Sequence, residues 1–296
     1  MSGPGHVASC VLPDGRVIDY WDGGDPEGRA VIFHPGTPVT RLLGRWAHEA
    51  AVSAHVRLVS VSRPGYGGST TPSTAPSLLG TGRDTAALAA TLDLEHYAVV
   101  GTSGGGPFAV ATAVADPRRV RAVGVVGGIG PWRLLEPLDK LSEDRGFLAL
   151  LDDGDTAGAW AGMSESAERE LASLAALDDE ARVDAFLADF GGALTRDVEY
   201  RAIWAANLAL VIESPEGYVL DNLAWGAIWD VDPADVVAPT MLRYGDGDHH
   251  CSPSHGHWYE ERIDGSELVV IPGEGHLETI DGHWPEVLAG LLQIWA

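Results

Sequence analysis

Ser103 stands in a spacing that suits nucleophilic chemistry, the pattern Gly101-x-Ser103-x-Gly105. The β-branched run at 97–100 predicts a buried strand before it, and the apolar run at 108–115 predicts a buried helix after it. A strand that turns sharply into a helix leaves no room for side chains two residues either side of the serine, which accounts for both glycines. The serine is then held in a strained backbone conformation with its hydroxyl exposed. The pattern predicts a nucleophile elbow, provided that a base and an acid follow later in the chain.

A serine hydroxyl needs a base within hydrogen-bond reach, and His276 is the histidine best placed to provide it. It follows the predicted strand at 267–272 and comes directly after Gly275. In an open α/β sheet such groups come from loops at the carboxyl ends of the strands, where ligands bind. His34 also follows a predicted strand, but its turn must supply backbone donors, so a structural or pocket-lining role is predicted for it. We therefore expect His276 to be the catalytic base.

The acid that orients this base is expected after the preceding strand, at 239–244. The turn Gly245-Asp246-Gly247-Asp248 offers two candidates. Asp248 ends a G-x-x-D turn and has the longer reach. Asp246 suits a turn former, because aspartate in such loops often bonds its own backbone. From the residues, Asp248 is favoured and Asp246 stays open.

An oxyanion hole requires two backbone N–H groups aimed at the developing charge on a carbonyl oxygen. Gly104 follows the serine and begins a predicted helix, so its N–H is one expected donor. The second is expected from the loop after the strand at 30–33, where Thr37 is our choice.

The elements that must position these residues alternate between short apolar strands and helices, starting with a predicted hairpin at 7–12 and 17–21. This rhythm predicts a doubly wound, mostly parallel sheet of eight strands. It breaks from Trp132 to Pro233, where apolar residues recur at helical spacing and no strand is predicted. The predicted domains are an α/β core, 1–131 and 234–296, and a helical insertion, 132–233.

Acidic residues outnumber basic ones by 43 to 19, giving a formal charge of −24 at pH 7. That charge repels phosphates and anionic lipid surfaces, so neither nucleic acid nor a membrane is an expected partner. The cysteines, Cys10 and Cys251, are too few for a disulfide framework, which fits a reducing compartment. No signal peptide is visible in residues 1–10, and no apolar run is long enough to cross a membrane. We expect a cytoplasmic protein.

Cofactor and metal sites are not expected. The glycines at 101–106 are not followed by a Walker lysine and do not form G-x-G-x-x-G, which argues against a phosphate site. Histidines and a cysteine, residue types that bind metals, are clustered at 249–257, but their spacing matches none of the standard zinc motifs. The cluster consists of His249, His250, Cys251, His255 and His257.

The chain resembles the α/β-hydrolase superfamily over essentially its whole length, through four signatures in the expected order. They are the G-T-P turn at 36–38, the R-P-G-Y-G-G-S loop at 63–69, the elbow, and the pair G-D-G-D at 245–248 and G-E-G-H at 273–276. Two positions depart from the family pattern: Ser62 stands where aspartate is usual, and Pro35 intervenes between His34 and the oxyanion glycine. The resemblance implies a Ser103–His276–Asp248 triad and a helical cap at 132–233.

These features predict a serine hydrolase that cleaves a small, partly apolar carboxylic ester through an acyl-enzyme. The alternatives are an aminopeptidase related to proline iminopeptidases, a lyase or cofactor-free oxidoreductase using the same triad, and a non-catalytic receptor. Glu213 and Glu216 could bind a substrate ammonium in the aminopeptidase case. Four tryptophans are expected to pack the cap on the core, with one or two lining the substrate cavity: Trp160, Trp204, Trp225 and Trp229. A homodimer is left open.

Overall fold

The computed structural model describes residues 5–73, 75–135, 145–190 and 192–295, and its core is one eight-stranded sheet. The strands are β1 (His6–Val11), β2 (Val17–Gly24), β3 (Arg29–His34), β4 (Val56–Val61), β5 (Tyr97–Thr102), β6 (Val120–Val126), β7 (Thr240–Gly245) and β8 (Glu267–Ile271). Their spatial order is β1-β2-β4-β3-β5-β6-β7-β8. Only β2 runs antiparallel to its neighbours, β1 and β4. The predicted fold class is confirmed.

The central strands are apolar on both sides because each face of the sheet is covered by helices. On β3, Ile32 packs into one core cluster and its neighbours Val31 and Phe33 into the other. On β5, Val99 and Val100 divide in the same way. Successive side chains of a strand point to opposite faces, so one short apolar run supports two cores.

Three helices of the core lie before the helical insertion. They are α1 (His48–Ser53), α2 (Leu78–Thr91) and α3 (Gly106–Ala115). The sequence between the turn at 36–38 and Ala50 predicts one helix, whereas the structure has a 3₁₀ stretch at Arg41–Ala47 that leads into α1. Ser77 caps α2 by accepting a hydrogen bond from the Gly80 N–H at 2.7 Å.

Between β6 and β7 the described residues form helices and loops. The helices are α4 (Trp132–Leu135), α5 (Arg145–Asp152), α6 (Thr156–Ala175), α7 (Asp179–Leu187), α8 (Val198–Glu213) and α9 (Glu216–Gly226). We call residues 132–233 the helical segment. Of this predicted insertion, residues 136–144 and 191 lie outside the described residues. Aspartates begin three of these helices: Asp155, Asp178 and Asp197 accept hydrogen bonds from first-turn N–H groups of α6, α7 and α8.

The chain ends with α10 (Pro253–Glu260), α11 (His276–Asp281) and α12 (Trp284–Gln293). The sequence predicts helices near 254–263 and 284–295, where α10 and α12 lie, but it predicts none at α11. Six residues with mixed polarity give no helical period that a sequence pattern could reveal. No helix in the described part of the chain is both long and apolar enough to cross a membrane.

Candidate active site

Ser103 lies where β5 ends and a 3₁₀ turn, Ser103–Gly105, leads into α3. Its φ is +51°, a left-handed backbone conformation that costs energy for a residue with a side chain. A Cβ on Gly101 would lie 2.3 Å from the Gly105 carbonyl oxygen, and one on Gly105 would lie 2.0 Å from that of His34. The predicted elbow geometry is therefore present, and both flanking glycines are required by backbone contact.

Ser103, His276 and Asp248 form one chain of hydrogen bonds. His276 Nε2 lies 3.0 Å from Ser103 Oγ, and His276 Nδ1 lies 2.7 Å from Asp248 Oδ2. Three loops bring these residues together, each at the carboxyl end of a parallel strand: β5, β7 and β8. The serine is thus in contact with a base, and the base with an acid, in the order that general-base activation requires.

The Asp248 carboxylate is almost fully buried and is held on both of its oxygens. Its Oδ1 accepts hydrogen bonds from the backbone N–H groups of His250 and Cys251, each at 2.8 Å. Burial alone would raise the pKa of this carboxyl, but the hydrogen bond and charge of His276 and the two N–H donors outweigh it. The pKa of Asp248 accordingly lies below its ordinary value of 3.8, and the group is ionised at neutral pH.

Asp246 points elsewhere, although it lies in the same turn. Its Oδ1 accepts a hydrogen bond of 2.5 Å from the Gly273 N–H, and it has no contact with His276 among the described residues. Asp246 therefore ties the loop after β7 to the loop after β8. This is the turn-forming geometry that its sequence context indicated.

The two candidate oxyanion donors lie side by side. A Cβ on Gly104 would stand 3.3 Å from the Thr37 nitrogen and 2.4 Å from the Thr37 hydroxyl, so only glycine fits at Gly104. A Cβ on Gly36 would lie 3.2 Å from Ser103 Cβ, which places the Gly36–Thr37 peptide against the nucleophile. The Gly36–Thr37 peptide thus lies next to both Ser103 and Gly104.

His34 is structural. Its side chain is fully buried, and its Nε2 lies 3.1 Å from the Thr112 hydroxyl of α3. Burial, with a smaller effect of the nearby Arg63 charge, lowers the pKa of His34 well below 6.5, so the ring is neutral at neutral pH. Of the two roles predicted for His34, the structural one agrees with this position.

A cavity of about 110 Å³ opens beside Ser103. Its apolar walls come from the core residues Val39, Leu43, Leu277 and Ile280 and from the helical segment residues Phe186, Phe190 and Trp204. The Phe190 ring stacks on the His276 ring with centroids 5.8 Å apart. No sequence pattern marks Phe186 and Phe190 as cavity residues, because apolar residues in and just after α7 are equally typical of a packed core.

The tryptophans and glutamates predicted to matter in the helical segment lie in different places. Trp204 lines the cavity at Ser103, whereas Trp225 and Trp229 line a separate cavity of about 470 Å³ that shares no described residue with it. The larger cavity lacks Ser103, His276 and Asp248, so chemistry rather than size identifies the candidate active site. Glu213 and Glu216 are exposed to solvent and do not line the smaller cavity.

The residues of the His/Cys cluster have separate positions. The buried His255 accepts a hydrogen bond from the Gly130 N–H on Nδ1 at 2.8 Å, and His257 faces Glu260 on the surface. Cys251 is buried and donates its N–H to Asp248. Within the described ranges, no group of three or more potential ligands could hold a metal ion.

A family model described as the alpha/beta hydrolase fold matches residues 29–282. The chain belongs to the α/β-hydrolase family. This match spans Thr37, Ser103, Asp248 and His276 and the whole helical segment. The resemblance that the sequence signatures indicated is thereby confirmed.

Other α/β-hydrolases with this architecture include several kinds of enzyme. A curated relative, the non-heme chloroperoxidase of Streptomyces lividans, is 33% identical over 153 residues, which is 48% of this chain and 55% of the relative. The match thus spans about half of that relative's length. Solved structures of an esterase from Exiguobacterium antarcticum and a bromoperoxidase from Bacillus anthracis superpose with TM-scores of 0.69 and 0.68. They are 18% and 21% identical and cover 98% and 97% of this chain and 100% of their own chains, a likeness of fold.

Proposed function

We propose that this α/β-hydrolase cleaves small carboxylic esters, with Ser103 as nucleophile, His276 as general base and Asp248 as the residue that orients it. The observation that carries the proposal is the hydrogen-bond chain of 3.0 Å from Ser103 to His276 and 2.7 Å from His276 to Asp248. The adjacent backbone donors of Thr37 and Gly104 supply the oxyanion hole that acyl transfer requires.

In the acylation step, His276 Nε2 takes the Ser103 proton as Oγ bonds to the ester carbonyl carbon. The carbonyl electron pair moves onto oxygen, and the N–H groups of Thr37 and Gly104 hydrogen-bond the resulting oxyanion. When the oxyanion collapses, the bond to the alkoxy oxygen breaks. That oxygen takes the proton from His276 and leaves as an alcohol, so Ser103 is acylated.

Deacylation repeats the sequence with water. His276 removes a proton from a water molecule whose oxygen bonds to the acyl carbon. The bond to Ser103 Oγ then breaks, Oγ recovers the proton from His276, and a carboxylic acid is released. The ionised Asp248 stabilises the positive charge on His276 in both halves and fixes which ring nitrogen carries the hydrogen.

The cavity limits the acyl group. Its volume of about 110 Å³ is well below the roughly 300–1,000 Å³ of pockets that enclose drug-sized ligands. Its walls are apolar, so we propose a short aliphatic acyl group as the preferred substrate part. Because Phe186, Phe190 and Trp204 form one wall, we propose that the helical segment acts as a cap that sets this preference.

Turnover of p-nitrophenyl esters of increasing acyl length tests the proposal, together with labelling by a fluorophosphonate. We expect the acetyl to butanoyl esters to react fastest and Ser103 to be the labelled residue. Ser103→Ala should lower kcat by more than about 10³-fold, since the nucleophile is lost. Ser254→Ala, at an exposed serine of α10, should react and label as the wild type does. Absence of both labelling and turnover on ester, amide and lactone substrates would exclude a serine hydrolase.

A second candidate is a cofactor-free haloperoxidase activity, favoured by the 33% identity to the chloroperoxidase over 153 residues. Chlorination of monochlorodimedone by hydrogen peroxide and chloride distinguishes it, in protein freed of metal by chelation. Chlorination that is lost in Ser103→Ala while ester turnover is negligible would favour this activity. An aminopeptidase activity gains no such support, because Glu213 and Glu216 lie outside the cavity lining.

A further inference from the structure

A buried ion pair connects the core to the helical segment directly behind the candidate oxyanion hole. Arg63 lies in the loop after β4 and forms a bidentate ion pair with Asp221 of α9. Its Nε lies 2.9 Å from Asp221 Oδ1, and its Nη2 lies 2.5 Å from Oδ2. The two side chains are only 1% and 3% exposed. In the sequence, Arg63 belongs to the loop signature at 63–69, and no pattern marks Asp221.

Stability alone does not account for such a pair. Removing two charges from water is costly, and apolar replacements of similar volume often leave stability unchanged or increased. Burial disfavours the charged form of Arg63, but the charge and hydrogen bonds of Asp221 outweigh this and raise the pKa of the guanidinium. The Tyr66 hydroxyl donates a further hydrogen bond to Asp221 Oδ2 at 2.9 Å. The pair is fully hydrogen-bonded, and its other contacts indicate a further role.

The same two side chains hold the loop that carries Thr37. Arg63 donates hydrogen bonds to the carbonyl oxygens of Pro35 and Gly36, the latter at 2.7 Å. The Thr37 hydroxyl donates to Asp221 Oδ2 at 2.6 Å. The peptide between Gly36 and Thr37 is therefore fixed at both of its residues.

The hydrogen bond from Arg63 to the Gly36 carbonyl oxygen also determines the direction of the Thr37 N–H. In a planar trans peptide the C=O and the following N–H point in opposite directions. With the Gly36 carbonyl directed at Arg63, the Thr37 N–H is directed away from Arg63. The Thr37 nitrogen also lies 3.3 Å from the position of a Cβ on Gly104, the residue directly after Ser103.

A second helix of the helical segment holds the end of the same loop. The buried Asn207 of α8 accepts a hydrogen bond from the Thr40 N–H at 2.7 Å and donates one to the Pro38 carbonyl oxygen at 3.2 Å. Residues 35–40 are thus bound to the helical segment through α8 and α9.

We propose that Arg63 and Asp221 are positioning residues for the oxyanion hole, so that the helical segment sets the direction of the Thr37 N–H as well as enclosing substrate. The proposal rests on the proposed acyl-transfer function for its effect on rate. Its structural part, that the pair orients the Gly36–Thr37 peptide, stands independently of that function.

The test is the double variant Arg63→Met/Asp221→Leu, which removes both charges together and avoids leaving one of them buried without a partner. We expect it to fold, with kcat for a short p-nitrophenyl ester reduced about 10–100-fold and KM changed less than about threefold. The donor is misdirected rather than deleted, so the loss should fall below the 10²–10³-fold seen when one oxyanion donor is removed. If the double variant fails to fold, Arg63→Lys replaces it, since lysine keeps the charge beside Asp221 but lacks the planar fork that also reaches the Gly36 carbonyl oxygen.

The matched control is Arg57→Met/Asp22→Leu, which removes an ion pair of 2.7 Å between β4 and β2, near the amino end of β4. It should leave kcat within about twofold. Amide hydrogen exchange at Thr37 provides a readout that does not depend on turnover. We expect it to become at least tenfold faster in the Arg63/Asp221 variant and to stay unchanged in the control.

The outcomes separate the two proposals. A wild type that is inert towards esters and fluorophosphonates excludes the proposed function, and Thr37 exchange then still decides whether the pair orients the peptide. An active wild type with a folded Arg63/Asp221 variant of equal kcat and equal Thr37 exchange would overturn the positioning proposal. A kcat loss matched by the Arg57/Asp22 control would overturn it too, because the effect would then be general.

Discussion

Asp246 and Asp248 lie in one turn, yet their carboxylates serve different partners. Asp248 binds His276 at 2.7 Å, whereas Asp246 binds the Gly273 N–H at 2.5 Å. Asp248 is buried in the candidate site, whereas Asp246 is exposed to solvent. The two aspartates therefore form a natural pair for comparing catalysis with loop structure.

We expect Asp248→Asn to lower kcat about 10³–10⁴-fold, because an amide cannot stabilise a charged imidazole and favours the wrong tautomer. Asp246→Asn should cost less than about tenfold. Steady-state kinetics on one short ester, with unfolding curves for both variants, measures the difference. Equal losses of kcat in two equally stable variants would show that Asp248 is not the orienting acid.

Asp281 is a buried carboxyl that takes no part in the hydrogen-bond chain. It ends α11, the helix that begins with His276, and its Oδ2 accepts a hydrogen bond of 2.6 Å from the Tyr200 hydroxyl of α8. Burial raises the pKa of Asp281 to about 6, above its ordinary value of 3.8. The folded protein therefore retains this proton over a pH range in which the unfolded chain loses it.

Because of this raised pKa, the protonated Asp281 carboxyl contributes to the free energy of unfolding in a pH-dependent way. The contribution is fully present below pH 3.8 and is lost as the pH rises through about 6. The Asp281→Asn variant has no ionisable group at this position. The difference between its free energy of unfolding and that of the wild type should therefore increase from pH 4 to pH 7, by up to about 3 kcal/mol. Urea unfolding across that range measures it, with Glu168→Gln on the exposed face of α6 as control. A pH-independent difference would contradict the assignment.

At the scale of elements, α7 and the loop after it bring aromatic rings over the nucleophile. Phe186 and Phe190 pack together with centroids 5.9 Å apart, and Phe186 packs on Trp204 of α8 at 4.8 Å. The core supplies the reacting groups from strand ends, and the helical segment supplies this wall. Under the proposed function, the core would thus set the chemistry and the helical segment the acyl-length preference.

Phe190→Ala should enlarge the cavity and shift the preferred ester to a longer acyl chain. We expect the ratio of kcat/KM for hexanoyl over acetyl esters to rise about 10-fold or more, since one methylene in an apolar pocket contributes roughly 1–3 kcal/mol. Trp160→Ala is the matched control, because Trp160 is a half-buried aromatic of α6 that packs near Phe147 and Met163 instead. The same shift in both variants would argue for a general loosening of the helical segment.

At the scale of the whole molecule, the formal charge of −24 acts on stability. Acidic groups in excess repel one another most strongly when they are held close together in the folded state. Salt screens exposed charges, with a Debye length of about 30 Å at 0.01 M and about 8 Å at 0.15 M. Folding should therefore be favoured by moderate ionic strength.

We expect the Tm to rise by several degrees between about 10 mM and 500 mM NaCl, measured by calorimetry at pH 7.5. KCl at equal ionic strength should give the same rise, and an uncharged osmolyte at equal osmolality separates screening from water exclusion. A Tm that falls with salt would mean that specific ion pairs such as Arg16–Asp84 outweigh the general repulsion.

Local patterns determined the strands, their alternation with helices, the elbow at Ser103 and the placement of His276 after the last strand. The reason is that apolar periodicity and turn glycines are properties of a few consecutive residues. The same kind of pattern predicted Asp248 as the acid, because reacting groups in such a sheet come from the ends of strands. The short helix α11 was missed, since six mixed residues have no readable period.

Contacts between residues that are far apart in the sequence were decided only by the tertiary structure. Arg63 and Asp221 are 158 positions apart, and Thr37 and Asp221 are 184 apart, so no spacing in the sequence links them. The same holds for Phe190, whose role follows from packing on His276. The sequence by itself determined the sharp turn at Ser103, because such a turn leaves a local signature of glycines. The direction of the Thr37 N–H and the size of the acyl cavity depend on contacts made after the chain has folded.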